Sequence, residues 1–197
     1  MTDERARGCL LPSFEMLQRL VRAILRRVYR EDRFLVDKDV SERCVVARFF
    51  LYANEDWNRQ KYGGASTGLN WDVEYNRCGS DGDPKSLLRG SKTGNVTSDL
   101  VLHQRGDGVK NVLTVEFKKK ARPKCEMDRD RQKLVELTKQ DGAFRYQYGL
   151  HVIYDRSGVS LDWYADGRKM IDDECEEYSA DELRDYNPSH GRGRLKR

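Results

Sequence analysis

The sequence predicts an α/β fold of three layers, α/β/α, with a central mixed β-sheet flanked by helices. Three observations predict it. Two segments near the N-terminus carry apolar residues at helical spacing. Between Asp99 and Lys118, two alternating runs flank Asp107-Gly108, a dipeptide suited to a tight hairpin turn because both residues tolerate positive φ. A helix-length segment then separates this hairpin from the apolar run Tyr148 to Tyr154, which is the connection that parallel strands need.

In chain order, Ser13 is an N-cap candidate, followed by Phe14, Leu17, Leu20, Val21, Ile24, Leu25 and Val28 on one stripe. Arg19, Arg22, Arg26 and Arg30 give this helix a basic outer side, which reads first as a solvated face and second as a phosphate contact. A second helix is expected from near Asp39 to about Asn58, with apolar positions almost all the way round, as in a buried central helix. Glu42 at its polar end has two readings. It either points into a site or closes an Asp39-x-x-Glu42 capping box.

Residues 63–68 are glycine-rich without phosphate-loop spacing and read as a connector. Leu69 to Asn76 is expected to be the first strand, with Asp72 and Glu74 on one face toward solvent or a cleft rim. From about 77 to 98 the composition turns to Gly, Asp, Ser and Lys, predicting a long mobile loop. Asp81-Gly82-Asp83 lacks the remaining ligands of a calcium loop. After the hairpin, Lys118 to Lys124 is a basic run, and a helix is predicted from about Glu126 to Gln140, stopped at Asp141-Gly142. Strands follow at Tyr148 to Tyr154 and Val159 to Tyr164. Ser179-x-x-Glu182 is a capping-box pattern for a short helix ending near Tyr186.

The 197 residues fit one domain over 1–186, and the basic tail 187–197 is expected to be disordered. Hydrophobic residues make up 38% and charged residues 36%, consistent with a compact core and long polar excursions. A net charge of +4 is too small to indicate nucleic-acid binding by itself. The five cysteines form no C-x-x-C pair, so the pattern supports neither a zinc site nor a disulfide framework. No leader-like or membrane-spanning apolar run is present, so a cytoplasmic protein without membrane partners is expected.

The hairpin carries the chemistry. With its turn at Asp107-Gly108, paired positions place Asp99 opposite Glu116, and Lys118 follows on the same face about 7 Å along the strand. Leu100, Leu102, Leu113, Val115 and Phe117 occupy the other face. Facing carboxylates repel by up to about 1 kcal/mol unless a cation lies between them. The bland alternative is a cross-strand salt-bridge cluster in which Lys118 relieves that repulsion.

Asp99, followed after a hairpin by Glu116-Phe117-Lys118, resembles the PD-(D/E)XK signature of the restriction-endonuclease-like nuclease superfamily. Ser98 stands where the motif's name has proline. Glu42 occupies the place of the helix-borne glutamate found in many members. Glu42-Arg43-Cys44-x-x-x-Arg48-Phe49 with Tyr52, and Asp72-x-Glu74-Tyr75-Asn76-Arg77, are similar to a group of small uncharacterised bacterial members. The resemblance spans roughly 35–165 and implies a metal-dependent nuclease acting on DNA in preference to RNA. It also admits a homodimer, because many nucleases of this fold pair up to cut both strands.

The residue types suit that chemistry on physical grounds. Phosphodiester hydrolysis needs a cation that neutralises developing charge and supplies the nucleophile from water. Magnesium, with manganese as a substitute, takes hard oxygen ligands and needs one or two protein carboxylates. Asp99 and Glu116 would supply these, the Phe117 carbonyl a further oxygen, and Glu42 the rest of the shell or part of a second site. Lys118 would orient the attacking water or hold the phosphate, and a neutral fraction could act as base if nearby metal lowers its pKa. The competing expectation is a noncatalytic module that keeps the fold and binds nucleic acid or protein.

Overall fold

The structure is a computed structural model describing residues 11–59, 67–78, 83–84, 86–89, 92–106, 110–171 and 175–185. The Asp107-Gly108 turn, residues 63–66 of the connector, Asp81-Gly82, the end of the last helix at Tyr186 and the 187–197 tail lie outside the described residues.

Helix α1 (Phe14–Glu31) starts where the sequence predicts. The Ser13 hydroxyl accepts the Met16 amide at 3.3 Å, and Leu17, Leu20, Val21, Ile24, Leu25 and Val28 are buried. A short helix that the sequence pattern does not announce, α2 (Arg33–Asp37), separates it from α3 (Glu42–Asn58). Helix α3 corrects two expectations. It begins at Glu42 with Ser41 as N-cap, because Asp39 takes positive φ (51°) and cannot continue a helix backward. Nor is it buried all round: Val45, Val46, Phe49, Tyr52, Ala53 and Trp57 face the core, while Cys44, Ala47 and Leu51 lie exposed.

Strand β1 (Asn70–Val73) is followed by two small two-stranded sheets, β2 (Arg77–Cys78) with β3 (Asp83–Pro84) and β4 (Ser86–Arg89) with β5 (Lys92–Asn95). The expected long loop at 77–98 therefore contains regular pairing. Glu74 has φ 48° and leaves the strand, so Asp72 and Glu74 do not share a strand face as predicted.

The main sheet continues with β6 (Leu100–His103), β7 (Asn111–Lys119), β8 (Tyr148–Asp155), β9 (Gly158–Ala165), β10 (Arg168–Lys169) and β11 (Glu176–Ser179). Its order is β1-β6-β7-β8-β9-β10, with β11 also paired to β9. All pairings are antiparallel except β7 with β8, which are parallel and joined by α4 (Lys124–Thr138) as the crossover. The sheet is thus mixed, as expected. At the β8 to β9 turn, a Cβ on Gly158 would collide with the Tyr178 carbonyl oxygen, so glycine lets β11 approach.

The layers follow from which faces are apolar. Helices α1 and α3, with α5 (Ala180–Arg184), pack on one face of the sheet against Leu100, Leu102, Leu113, Val115, Phe117, Leu150, Val152, Leu161 and Trp163. Phe49 of α3 meets Phe117 edge-on at 5.1 Å between ring centroids. The Tyr29 hydroxyl reaches the carbonyls of Asp155 and Gly158, at 2.8 and 2.6 Å, tying α1 to the β8 to β9 turn. Helix α5 opens with the predicted capping box between Ser179 and Glu182. Helix α4 covers the opposite face, where the apolar cluster is smaller: Val96, Val101, Leu137, Phe144 and Tyr146. The polar positions of the sheet face α4, and that side holds the candidate site. Among the described residues no helix is long and apolar enough to cross a membrane, and Cys44, Cys125 and Cys175 are free thiols.

Candidate functional site

The site begins where β6 gives out along β7. The pairing is Leu100 with Val115, Val101 with Thr114 and Leu102 with Leu113, the register anticipated from the sequence. It shifts by one residue at His103, which pairs with Asn111, whose side-chain amide donates to the Phe144 carbonyl at 2.6 Å. Upstream of β6, three consecutive residues are anchored. The Thr97 carbonyl accepts from Lys133 Nζ at 3.1 Å, the Ser98 and Thr114 hydroxyls share a buried hydrogen bond of 2.7 Å, and Asp99 Oδ2 accepts the Phe117 amide at 2.7 Å.

Two residues further, the Lys119 amide donates to Glu42 Oε2 at 3.1 Å. Amides two apart project from the same edge of a strand, so Asp99 and Glu42 fill successive places that a neighbouring strand would occupy. The Phe117 carbonyl leaves β7 from that same edge, while the Phe117 ring is in the core. Of the two readings of Glu42, the structure realises the one in which it leaves its own helix terminus. Its carboxylate reaches β7 and lies 3.7 Å from Lys118 Nζ.

Glu116 points to the α4 side and is buried, with Lys133 of α4 in direct ion-pair contact with Oε2. Its Oε1 is buried and has no hydrogen-bond partner among the described residues. Lys118 lies 3.1 Å from Asp130 of α4. Asp99, Glu116, Lys118 and Glu42 are therefore gathered at one end of β7. Asp130 and Lys133 join them from the crossover helix, where sequence reasoning did not assign them a role. A signal for both existed. Asp130 and Lys133 sit four residues before Leu134 and Leu137, sharing the buried stripe of α4.

Charge placement sets the electrostatics. Burial pushes the Glu116 carboxyl up to about 8; Lys133 pulls it down, and the Asp99 charge adds to the rise. Asp99 is likewise raised, first by burial and then by Glu42, against the Phe117 amide and Lys133. For Lys118, burial works against its charge, but Asp130, Glu42 and Asp99 outweigh it and hold the ammonium above its usual value. In this arrangement, without a bound cation, Lys118 is a donor and a positive charge.

Further along the sheet, His151 of β8 is in register with Glu116 on one side and Asp162 of β9 on the other. It is fully buried, neither ring nitrogen has a partner among the described residues, and burial lowers its pKa to about 4. At the other end, Asp72 is bonded to His103 Nε2 at 3.0 Å and to the Arg105 guanidinium, so it belongs to a separate ionic cluster. Lys120 and Arg122 in the connection after β7, and Lys124 and Arg129 on α4, are exposed.

The donor set suits a hard cation, with carboxylate oxygens and a backbone carbonyl at the edge of β7. Among the described residues, however, no three Asp, Glu, His or Cys side chains are grouped closely enough to enclose a metal ion. Glu116 and Glu42 face different lysines, and Asp99 is bonded to a backbone amide.

No protein-family model matches the chain, and no curated protein matches it. Among solved structures, the cryo-EM structure of the DrdV–DNA complex is similar at 13% identity and a TM-score of 0.39, over 87% of this chain. The matched region spans 13% of that structure's chain. A likeness of that size carries no argument about activity. What is established for this chain is a mixed α/β fold, with a partly buried cluster of carboxyl and ammonium groups at the end of its central strands.

Proposed function

We propose that the protein is a metal-dependent nuclease that hydrolyses phosphodiester bonds, with DNA as its favoured substrate and Asp99, Glu116, Lys118 and Glu42 at its centre. The observation that carries this reading is uncompensated charge. Glu42, Asp99, Glu116 and Asp130 bring four carboxyl groups together, while Lys118 and Lys133 bring two ammonium groups. Fully ionised, this cluster would carry two excess negative charges in a partly desolvated place. Burial raises the carboxyl pKa values at Asp99 and Glu116, the neighbouring carboxylates add to the rise, and one divalent cation would match the excess charge.

Asp99, Glu116, the Phe117 carbonyl and Glu42 would hold magnesium or manganese, with water completing the shell. A bound ion would supply charge neutralisation and a water-derived nucleophile. Lys118 would keep its ammonium form, hold a phosphate oxygen and orient the attacking water, with Asp130 fixing its direction at 3.1 Å. Exposed Lys120, Arg122, Lys124 and Arg129 would meet the phosphates flanking the cleaved bond. The test is cleavage of single- and double-stranded DNA and RNA with and without magnesium. Wild type should cut in a metal-dependent way, and Lys118→Ala should lose about 100-fold or more of that rate. Equal inactivity of both on every substrate, with no divalent ion bound, overturns the proposal.

A second reading, a noncatalytic nucleic-acid-binding module, is favoured by the engagement of Glu116 with Lys133 and of Lys118 with Asp130. Salt-dependent DNA binding without cleavage would select it.

A further inference from the structure

Lys133 reaches the site from α4 instead of from the hairpin. Its side chain is largely enclosed, its ammonium contacts Glu116 Oε2, and the Thr97 carbonyl holds it at 3.1 Å. Glu116 is 2% exposed, and its second oxygen is unpartnered among the described residues. An ammonium against one oxygen of a buried carboxylate, with the other oxygen unused, compensates that carboxylate only in part. A divalent cation reaching Glu116 would also have to approach Lys133 against charge repulsion that burial strengthens.

We infer that Lys133 is a built-in counter-cation of Glu116, occupying the carboxylate in the metal-free protein and competing with a divalent ion for it. The inference rests on the metal-site reading of the preceding section and assigns Lys133 a regulatory place in it. Lys133 sets how much free divalent ion is needed to load the site. Two features equip it for displacement. Thr97 offers an acceptor outside the carboxylate cluster, so the ammonium keeps a hydrogen bond when Glu116 is taken. A lysine stem can also swing without disturbing the buried Leu134 and Leu137 that seat α4 on the sheet. Lys118 does not share this role. It is bound to Asp130 and Glu42 and leaves Glu116 to Lys133.

The test is manganese binding, measured by calorimetry with manganese(II) chloride on the full chain, for wild type, Lys133→Met and Glu116→Gln. Lys133→Met should bind manganese at least about tenfold more tightly than wild type, because a competitor and a repulsive charge are both removed. Glu116→Gln should lose the site. Thermal unfolding supplies a second readout. Without metal, Lys133→Met should melt below wild type, since it strands a buried carboxylate. Added manganese should raise its midpoint further than it raises that of wild type. Binding by Lys133→Met alone also supports the inference, with Lys133 then blocking the site outright. If wild type binds manganese and Lys133→Met binds it equally or more weakly, the inference falls and the metal site stands. If neither binds manganese, both fall.

Discussion

Replacing His151 with leucine tests the electrostatics of the α4 side of the sheet apart from any ligand. The imidazole lies between Glu116 and Asp162 in the strand register, with Asp130 and Arg131 contributed by α4 and Lys118 by β7. Burial outweighs the two aspartates and lowers its pKa from the usual 6.5 to about 4. The folded protein therefore keeps the ring neutral where the unfolded chain protonates it, so unfolding takes up a proton between those two values. The stabilisation is complete above pH 6.5 and is lost as pH falls toward 4. At about 1.4 kcal/mol per pH unit of displacement, the loss is about 3 kcal/mol, a large fraction of the 5–15 kcal/mol typical of a domain. Asp99 and Glu116, raised in the folded state, act in the opposite direction over this range, but they are common to both proteins and cancel in the difference.

Urea unfolding of wild type and His151→Leu at pH 7, 6, 5 and 4 measures that difference. The variant should match wild type within about 1 kcal/mol at pH 7, because a polar ring without partners is exchanged for an apolar side chain of similar size. It should then gain on wild type by about 3 kcal/mol at pH 4. Stability curves that stay parallel from pH 7 to pH 4 would refute the assignment of His151 as a buried neutral imidazole.

Two further perturbations separate the scaffold from the site. Phe49→Ala removes a fully buried ring that packs on Phe117, and should cost about 3–5 kcal/mol, seen as a lower urea midpoint at unchanged slope. Asp99→Asn keeps an oxygen for the Phe117 amide while removing the charge. It should leave the thermal midpoint within a few degrees of wild type yet weaken manganese binding by at least about tenfold, and an unchanged affinity would remove Asp99 from the proposed ligand set.

The parts of this molecule that the sequence announced are those in which pattern and neighbour agree. Alternation of Leu100 and Leu102 against Leu113, Val115 and Phe117 fixed the hairpin register, because a slip would have turned an entire apolar set toward α4. Ser13 and Ser179 announced their helices through local backbone bonds that need no tertiary context. The bulge at His103 had no such signature, since it depends on Asn111 reaching the distant Phe144 carbonyl. The start of α3 was misplaced because Asp39 and Ser41 are both good caps, and only the positive φ at Asp39 decides between them. Asp130 and Lys133 carry no short-range motif that marks them as site residues. Their partners, Lys118 and Glu116, lie on the preceding strand, and the crossover geometry alone brings them together.

The carboxylates of Asp99 and Glu42 also settle a problem of self-association. Beyond the end of β6, the amides of Phe117 and Lys119 would otherwise stand open on a long apolar strand, the kind of template that recruits a strand from another molecule. Acidic side chains on those amides satisfy the donors and put negative charge where an incoming strand would have to lie. Mutating both residues to study chemistry would thus uncover an adhesive edge, and loss of solubility in such a double variant would report on β7 as much as on any reaction.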